Sequence, residues 1–390
     1  MKRFNHYIIL SFTTLFGFAS CRKEIPQINR PDDYIAGSFS EVFEAYWNGM
    51  NNNYVFWDID TTNWDRAYRQ YKPLFAQLNL TDSNDVRKGY TYFKEMTAGL
   101  IDSHYDLSFN DPWLADSMSI NPAYQRKLNS PAYHDPINPG HFYYTVSANY
   151  LDQGWKRGFV NLDQQYVAVA GTINQNILYL YFNAFNLKSL YESDDENAVK
   201  IVEEHFFELL KNTTNIKGIV LDVRGNGGGA LVDLNFLVGK MIDKRLDLGF
   251  TRSKQGNGRL DYSPWVPAFV TPEAGWKAVT APIVILADAW SISMAEMTVM
   301  AIKSLPNGHF VGERTWGGNG PLTGNTYFNG GQFSSPLINL TYTSSLALKY
   351  RDGKIYEGVG FPPDLEVKYN EEALLQGRDP QLEAALAMIH

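Results

Sequence analysis

The chain of 390 residues contains one cysteine, Cys21. A lone thiol cannot close an internal disulfide, supply a Cys-x-x-Cys redox pair or build a cysteine-rich zinc centre. Excess charge is small as well. The net charge is −8 with no basic block, which makes nucleic acid a poor partner. Beyond the N-terminus there is no second long apolar run, no internal repeat and no low-complexity stretch. The glycine-rich segment 225–229 lacks the Lys-Ser/Thr pair of a phosphate loop and misses the Gly-x-Gly-x-x-Gly register of a dinucleotide site. No metal or organic cofactor is expected. What is present, 44% hydrophobic and 19% charged residues, is an ordinary globular composition of a length that suits two to three domains. The aromatic residues are plentiful, and most are expected in cores and domain interfaces.

Residues 1–20 read as a signal peptide. Lys2 and Arg3 form a basic start, and the apolar stretch 7–18 is too short to span a bilayer. Phe18-Ala19-Ser20-Cys21 resembles a bacterial lipobox. That resemblance makes Cys21 the lipidated first residue of the mature protein and implies a lipid-anchored place in the bacterial cell envelope, in the periplasm or at the outer-membrane surface. The polar segment 21–35 suits a tether.

Apolar residues from Phe39 to Met50 fall at helical spacing, and 64–78 and 86–100 follow suit, with a turn and cap at residues 82–85. Residues 36–107 are therefore a helical N-terminal subdomain. Residues 108–174 form an irregular and β connecting region, with strands expected at 143–146 and 167–170. From residue 175 to 390 strands and helices alternate: strands at 177–182, 218–223, 282–287 and 309–312, helices at 197–210 and 231–242 and from Ser293, and a loop over 244–279. Such alternation implies crossover units and a mostly parallel sheet, an α/β core. The run 337–350 is strand-like and antiparallel, and 379–389 is a short helix.

Three segments of that core carry chemistry. The first is a buried strand running into Asp222-Val223-Arg224-Gly225-Asn226-Gly227-Gly228-Gly229, where glycines let main chain approach a ligand and expose its amides. The second is Ser291-Ile292-Ser293-Met294-Ala295-Glu296 at a strand-to-helix junction. A serine there lies where helix N-terminal amides can meet an oxyanion, although Ser-x-x-Glu is also a capping box. The third is Gly312-Glu313-Arg314-Thr315-Trp316-Gly317-Gly318, beyond the next strand.

In this order the three segments resemble the tail-specific (C-terminal-processing) serine protease family, whose core has the crossover sheet shared with crotonase- and ClpP-like enzymes. The position of the lysine base in one branch of that family is Gly318 here, and Lys303 does not replace it. The other branch resembles the core protease of tricorn and uses a histidine with a preceding serine and a downstream glutamate. Asp102-Ser103-His104 and Glu357-Gly358-Val359-Gly360-Phe361-Pro362-Pro363-Asp364 match those elements.

The resemblance implies Ser293 as nucleophile, His104 as general base, and Ser103 and Glu357 holding the histidine. The amide of Met294 and one of Gly228 or Gly229, Gly228 being preferred, would meet the oxyanion. His309 is the rival base, Glu296 reads as a helix cap, and Arg314 as a partner of a carboxylate in the protein. No clear PDZ module is present. The implied activity is hydrolysis of peptides or unfolded chains. A protease fold that binds peptide without turnover is the alternative, and an acyl-CoA enzyme of crotonase architecture fits the motifs less well. The sequence leaves the oligomeric state open.

Overall fold

A computed structural model describes residues 36–114, 118–256, 258–322, 332–333 and 337–389. The expected signal peptide, Cys21 and tether lie outside the described residues. The centre is a seven-stranded sheet. Its strands, in spatial order, are Leu365–Glu366, Gly308–Gly312, Ile283–Ala287, Gly218–Asp222, Ile177–Phe182, Gln165–Ile173 and Lys156–Asn161. The first five run parallel, and each of the last two is antiparallel to the strand before it. Parallel strands covered on both faces read as unbroken apolar runs, as Ile-Leu-Tyr-Leu-Tyr-Phe and Ile-Val-Ile-Leu-Ala do here.

Alternate residues serve two cores. Leu178, Leu180, Leu221, Ile283 and Ile285 face the helices Ala198–Asn212, Asp233–Val238 and Met294–Ser304. Tyr179, Tyr181, Val220, Val284 and Leu286 face Phe142, Val146 and the terminal helix Pro380–Ile389. A third core is the aromatic-rich set of Phe39, Phe43, Tyr46, Trp64, Phe75 and Phe93, drawn from the helices Phe39–Asn53, Trp64–Phe75 and Ser83–Thr97. Each of these helices is capped by a side chain, Ser38, Asn63 and Asp82 respectively.

Three expectations need correction. Residues 143–146 are not a strand but part of a π-helical segment, His141–Val146. It puts Phe142 flat on Tyr181, with ring centroids 3.7 Å apart, and Val146 into the same core. The expected loop 244–279 contains two strands, Leu246–Ser253 and Val266–Val270. A register shift at Asp247/Gly249 and an edge-strand proline, Pro267, break the alternation that announces a strand. The run 337–350 splits into Ile338–Tyr342 and Leu346–Tyr350, antiparallel as expected but in different three-stranded sheets. Among the described residues no helix is long and apolar enough to cross a membrane.

Candidate active site

The parallel strands ending at Asp222, Ala287 and Gly312 finish level, through the pairs Asp222↔Leu286 and Ala287↔Gly312. Ligands in such sheets gather beyond these carboxyl ends. After Ala287 the chain makes a tight loop. Ser291 Oγ donates to Val223 O at 2.7 Å and accepts from Asp288 N at 3.0 Å. Ile292 N donates to Asn226 O at 2.9 Å. These bonds tie the serine loop to the glycine turn.

Ser293 itself is the N-cap of the helix Met294–Ser304, with φ 57° and ψ −113°. A non-glycine residue held there stores about 1–3 kcal/mol, strain that tends to collect where a side chain must be aimed. Gly228 (φ 90°) lies against it: a Cβ on Gly228 would stand 2.7 Å from Ser293 Cβ and 3.0 Å from Met294 N. The Gly228 amide is spent, since it donates to Asn226 Oδ1 at 2.8 Å. The amides of Gly229 and Met294 have no partner among the described residues. The preference for Gly228 as donor therefore gives way to Gly229, with Gly228 as the residue that permits close approach.

Under this turn lies a buried ion network. Arg224 is fully buried and pairs with Asp222 at 2.5 Å and Asp379 at 2.8 Å. Tyr179 OH donates to Asp222, and His141 Nε2 meets Asp379. Glu296 does more than cap. It is fully buried and accepts from Ser293 N at 3.2 Å, Thr315 Oγ1 at 2.6 Å, Gly317 N at 2.8 Å and Gly318 N at 2.6 Å. One carboxylate thus fixes the turn 315–318 against the serine.

The histidine arrives from the N-terminal side, in the loop between the helix Ser83–Thr97 and the strand Asp106–Phe109. Ser103 N donates to Glu357 Oε1 at 2.8 Å, and Gly320 N donates to Glu357 Oε2 at 2.8 Å. Ser103 Oγ and Gly358 N both donate to Gly317 O, at 2.7 Å each. A Cβ on Gly318 would touch Ser103 Cβ at 3.1 Å and Ile292 Cγ2 at 3.3 Å, so Ser103 sits one residue's width from the residue before Ser293. A side chain at Gly318 would press on both of them.

Sequence reasoning missed the groups that contact the imidazole. Ser103 and Glu357 hold the loop, while the ring faces Ser344: Nδ1 and Ser344 Oγ are 3.3 Å apart. Ser344 Oγ donates to Asp102 Oδ1 at 2.8 Å, Ser344 N to Asp102 Oδ2 at 2.7 Å, and His104 N to Asp102 Oδ1 at 2.9 Å. A hydroxyl that donates to a carboxylate accepts from its other neighbour. The proton therefore belongs on Nδ1, and Nε2 is left as an acceptor. Among the described residues Nε2 has no hydrogen-bond partner, and the Ser293 hydroxyl makes no bond to it.

Burial lowers the His104 pKa below its ordinary value, an effect partly opposed by Asp102. Burial raises Asp102, against the pull of His104 and Ser344. Burial and then the charge of Asp102 push Glu357 well up. Ligand atoms of Asp102, His104 and Glu357 lie within 4.8 Å of one another. Their carboxylate oxygens already accept N–H or O–H donors, so the cluster suits proton handling better than a metal ion.

His309 is level with Val284, toward the opposite end of the parallel strands from Ser293, which removes it as rival base. Lys303 pairs with Asp364. Among the described residues Arg314 pairs with no carboxylate; its Nη1 donates to Gly360 O at 2.9 Å. Cys21 lies outside the described residues.

Residues 176–367 match the family model described as Peptidase family S41. The matched segment is just under half of the chain. Tricorn protease of Thermoplasma acidophilum is 27% identical over 183 residues, 46% of this chain but only 15% of that protein. This chain therefore spans a small part of that relative. Two solved structures share the fold across nearly the whole chain. A candidate peptidase from Parabacteroides merdae has a TM-score of 0.65 at 24% identity, covering 91% of this chain and 97% of the other. Mature CPAF has a TM-score of 0.61 at 10% identity, covering 90% and 96%. The matched segment includes Ser293, the glycine turn and Glu357, whereas Ser103 and His104 lie before it.

Proposed function

We propose that the protein is a serine endopeptidase that hydrolyses peptides or unfolded chains, held in the bacterial cell envelope by a lipid on Cys21. The observation that carries the catalytic part is the meeting of three segments far apart in sequence. Ser103 N is bonded to Glu357, and Ser103 Oγ and Gly358 N to Gly317, beside the loop that presents Ser293.

His104 Nε2 accepts the hydroxyl proton as Ser293 Oγ bonds to the substrate carbonyl carbon. The carbonyl oxygen becomes an oxyanion facing the amides of Met294 and Gly229. Collapse breaks the C–N bond, His104 returns the proton to the departing amine, and water then releases the acyl group by the same route. Asp102, through Ser344, orients the imidazole and stabilises its charge, the task a carboxylate performs in serine-protease triads. Ser103 and Glu357 position the His104 loop. Substrate entry draws Ser293 Oγ and Nε2 into hydrogen-bond contact, as often happens only in the bound complex.

A second reading, peptide binding without turnover, is favoured by the absence of that contact among the described residues. The two are separated by incubation with an unfolded protein and analysis of fragments by mass spectrometry. Cleavage that is lost in both Ser293→Ala and His104→Ala supports the peptidase. Binding without cleavage by any form supports the second reading. The anchor is tested by Cys21→Ser, which should move the protein from the membrane fraction to the soluble fraction.

A further inference from the structure

A cavity of about 600 Å³ opens beside the site, with Ser103 and Trp316 in its wall. Its charged lining is lopsided: Arg126, Lys127, Arg314 and Lys368 against Glu313 and Glu366. Glu313 is already engaged, by His134 Nε2 at 2.6 Å and Tyr369 N at 3.1 Å. Two of the cations are also occupied. Arg126 donates to the carbonyls of Ala98 and Leu100, at 2.8 and 2.5 Å, and Arg314 to that of Gly360.

Lys127 differs from both. It is half-buried, its ammonium stands 5.1 Å from the Trp316 ring centroid, and among the described residues that ammonium has no ion-pair or hydrogen-bond partner. Burial lowers its pKa, while Glu296, Asp288 and Glu313 support the charge only from a distance. A partly desolvated cation without an anion is costly, and an incoming carboxylate offsets that cost. Trp316 links the cavity to catalysis. Its N donates to Ser291 O at 3.1 Å, and its neighbour Gly317 accepts from Ser103.

We propose that this cavity is a specificity pocket for the side-chain carboxylate of a substrate aspartate or glutamate, with Lys127 as its partner. The inference rests on the peptidase reading above. The two carboxylates retained in the lining disfavour a doubly charged group and suit a single one.

The test uses peptides with amidated C-termini, so that only a side chain supplies the carboxylate. A glutamate or glutamine is scanned through the positions flanking the cut. The wild type should prefer glutamate at one position by about tenfold in kcat/KM, the scale of one partly buried charge pair. Lys127→Gln should bring that ratio near one, and Lys127→Glu should shift preference toward a lysine peptide. Unfolding curves of both variants check that they fold. No preference in the wild type, a preference that survives in Lys127→Glu, or one seen only with free C-termini would overturn the proposal. If nothing is cleaved, the peptidase reading fails separately. The pocket is then read by fluorescence anisotropy on Ser293→Ala, where glutamate peptides should bind more tightly than glutamine peptides and Lys127→Gln should remove the difference. Equal binding of the two peptides there overturns the pocket.

Discussion

The serine half of the site turns main chain toward the substrate, the histidine half buried side chains. Ser293 is placed by a strand end, a positive φ and amides clamped to a glycine turn. His104 is placed by Asp102, Ser344 and Glu357, three side chains that contact its loop or its ring. The buried carboxylates of the serine half, Glu296 and Asp222, bond to its main chain, to Thr315 and to Arg224 rather than to the Ser293 hydroxyl, whereas Asp102 and Glu357 stand beside the imidazole itself. The difference assigns rigidity to the nucleophile and proton control to the base.

The largest test breaks the support of the serine half. Arg224→Ala leaves Asp222 and Asp379 buried without their cation, and should cost about 3–5 kcal/mol in chemical denaturation. A loss below 1 kcal/mol would show that the network does not hold the turn. Next is Gly228→Ala. Its Cβ meets Ser293 Cβ at 2.7 Å at φ 90°, so the oxyanion side must open. A fall in kcat of roughly 10²–10³, the size of losing one oxyanion donor, is expected with KM little changed.

The histidine half should respond differently. Asp102→Asn and Ser344→Ala should each lower kcat about 10- to 100-fold, the range of a general-base contribution impaired rather than removed. Their pH profiles should diverge. Asp102 raises the His104 pKa, so removing its charge should move the acid limb to lower pH, whereas Ser344→Ala keeps the charge and should leave the limb nearly in place. In the wild type that limb should already lie below the ordinary histidine value, because burial favours neutral His104. Identical profiles for the two variants would reject the relay through Ser344.

The smallest effect concerns His134 and Glu313. Burial disfavours charged His134, but the bond to Glu313 prevails and its pKa rises. The Glu313 pKa is lowered, its bonds to His134 and Tyr369 N outweighing burial. The histidine contribution is complete below about 6.5 and fades as pH rises through the folded value. The glutamate contribution is complete above about 4.3 and fades as pH falls. His134→Gln should therefore cost about 1 kcal/mol near pH 5–6 and less at pH 8, read from unfolding midpoints.

The same division explains what was legible in the sequence. Strand ends and helix starts follow from local apolar runs, so Ser293, the glycine turn and the parallel sheet could be read directly. Ser103, His104 and Glu357 could be read only by resemblance. The link from Asp102 to Ser344 spans 242 residues and left no local signal beyond an aspartate two places before the histidine. The choice of Gly229 over Gly228 turned on one side-chain bond from Asn226, which spacing cannot encode. The strands at 246–253 and 266–270 were hidden by Gly249 and Pro267, residues placed for a register shift and an edge rather than for alternation.

The most direct test of the two-part site is labelling by a fluorophosphonate, which reacts only with an activated serine. The account predicts rapid modification of the wild type at Ser293, none at that residue in Ser293→Ala, and labelling slowed at least about 100-fold in His104→Ala. Labelling of another serine, or an unchanged rate in His104→Ala, would contradict the assignment of Ser293 and His104 to one site.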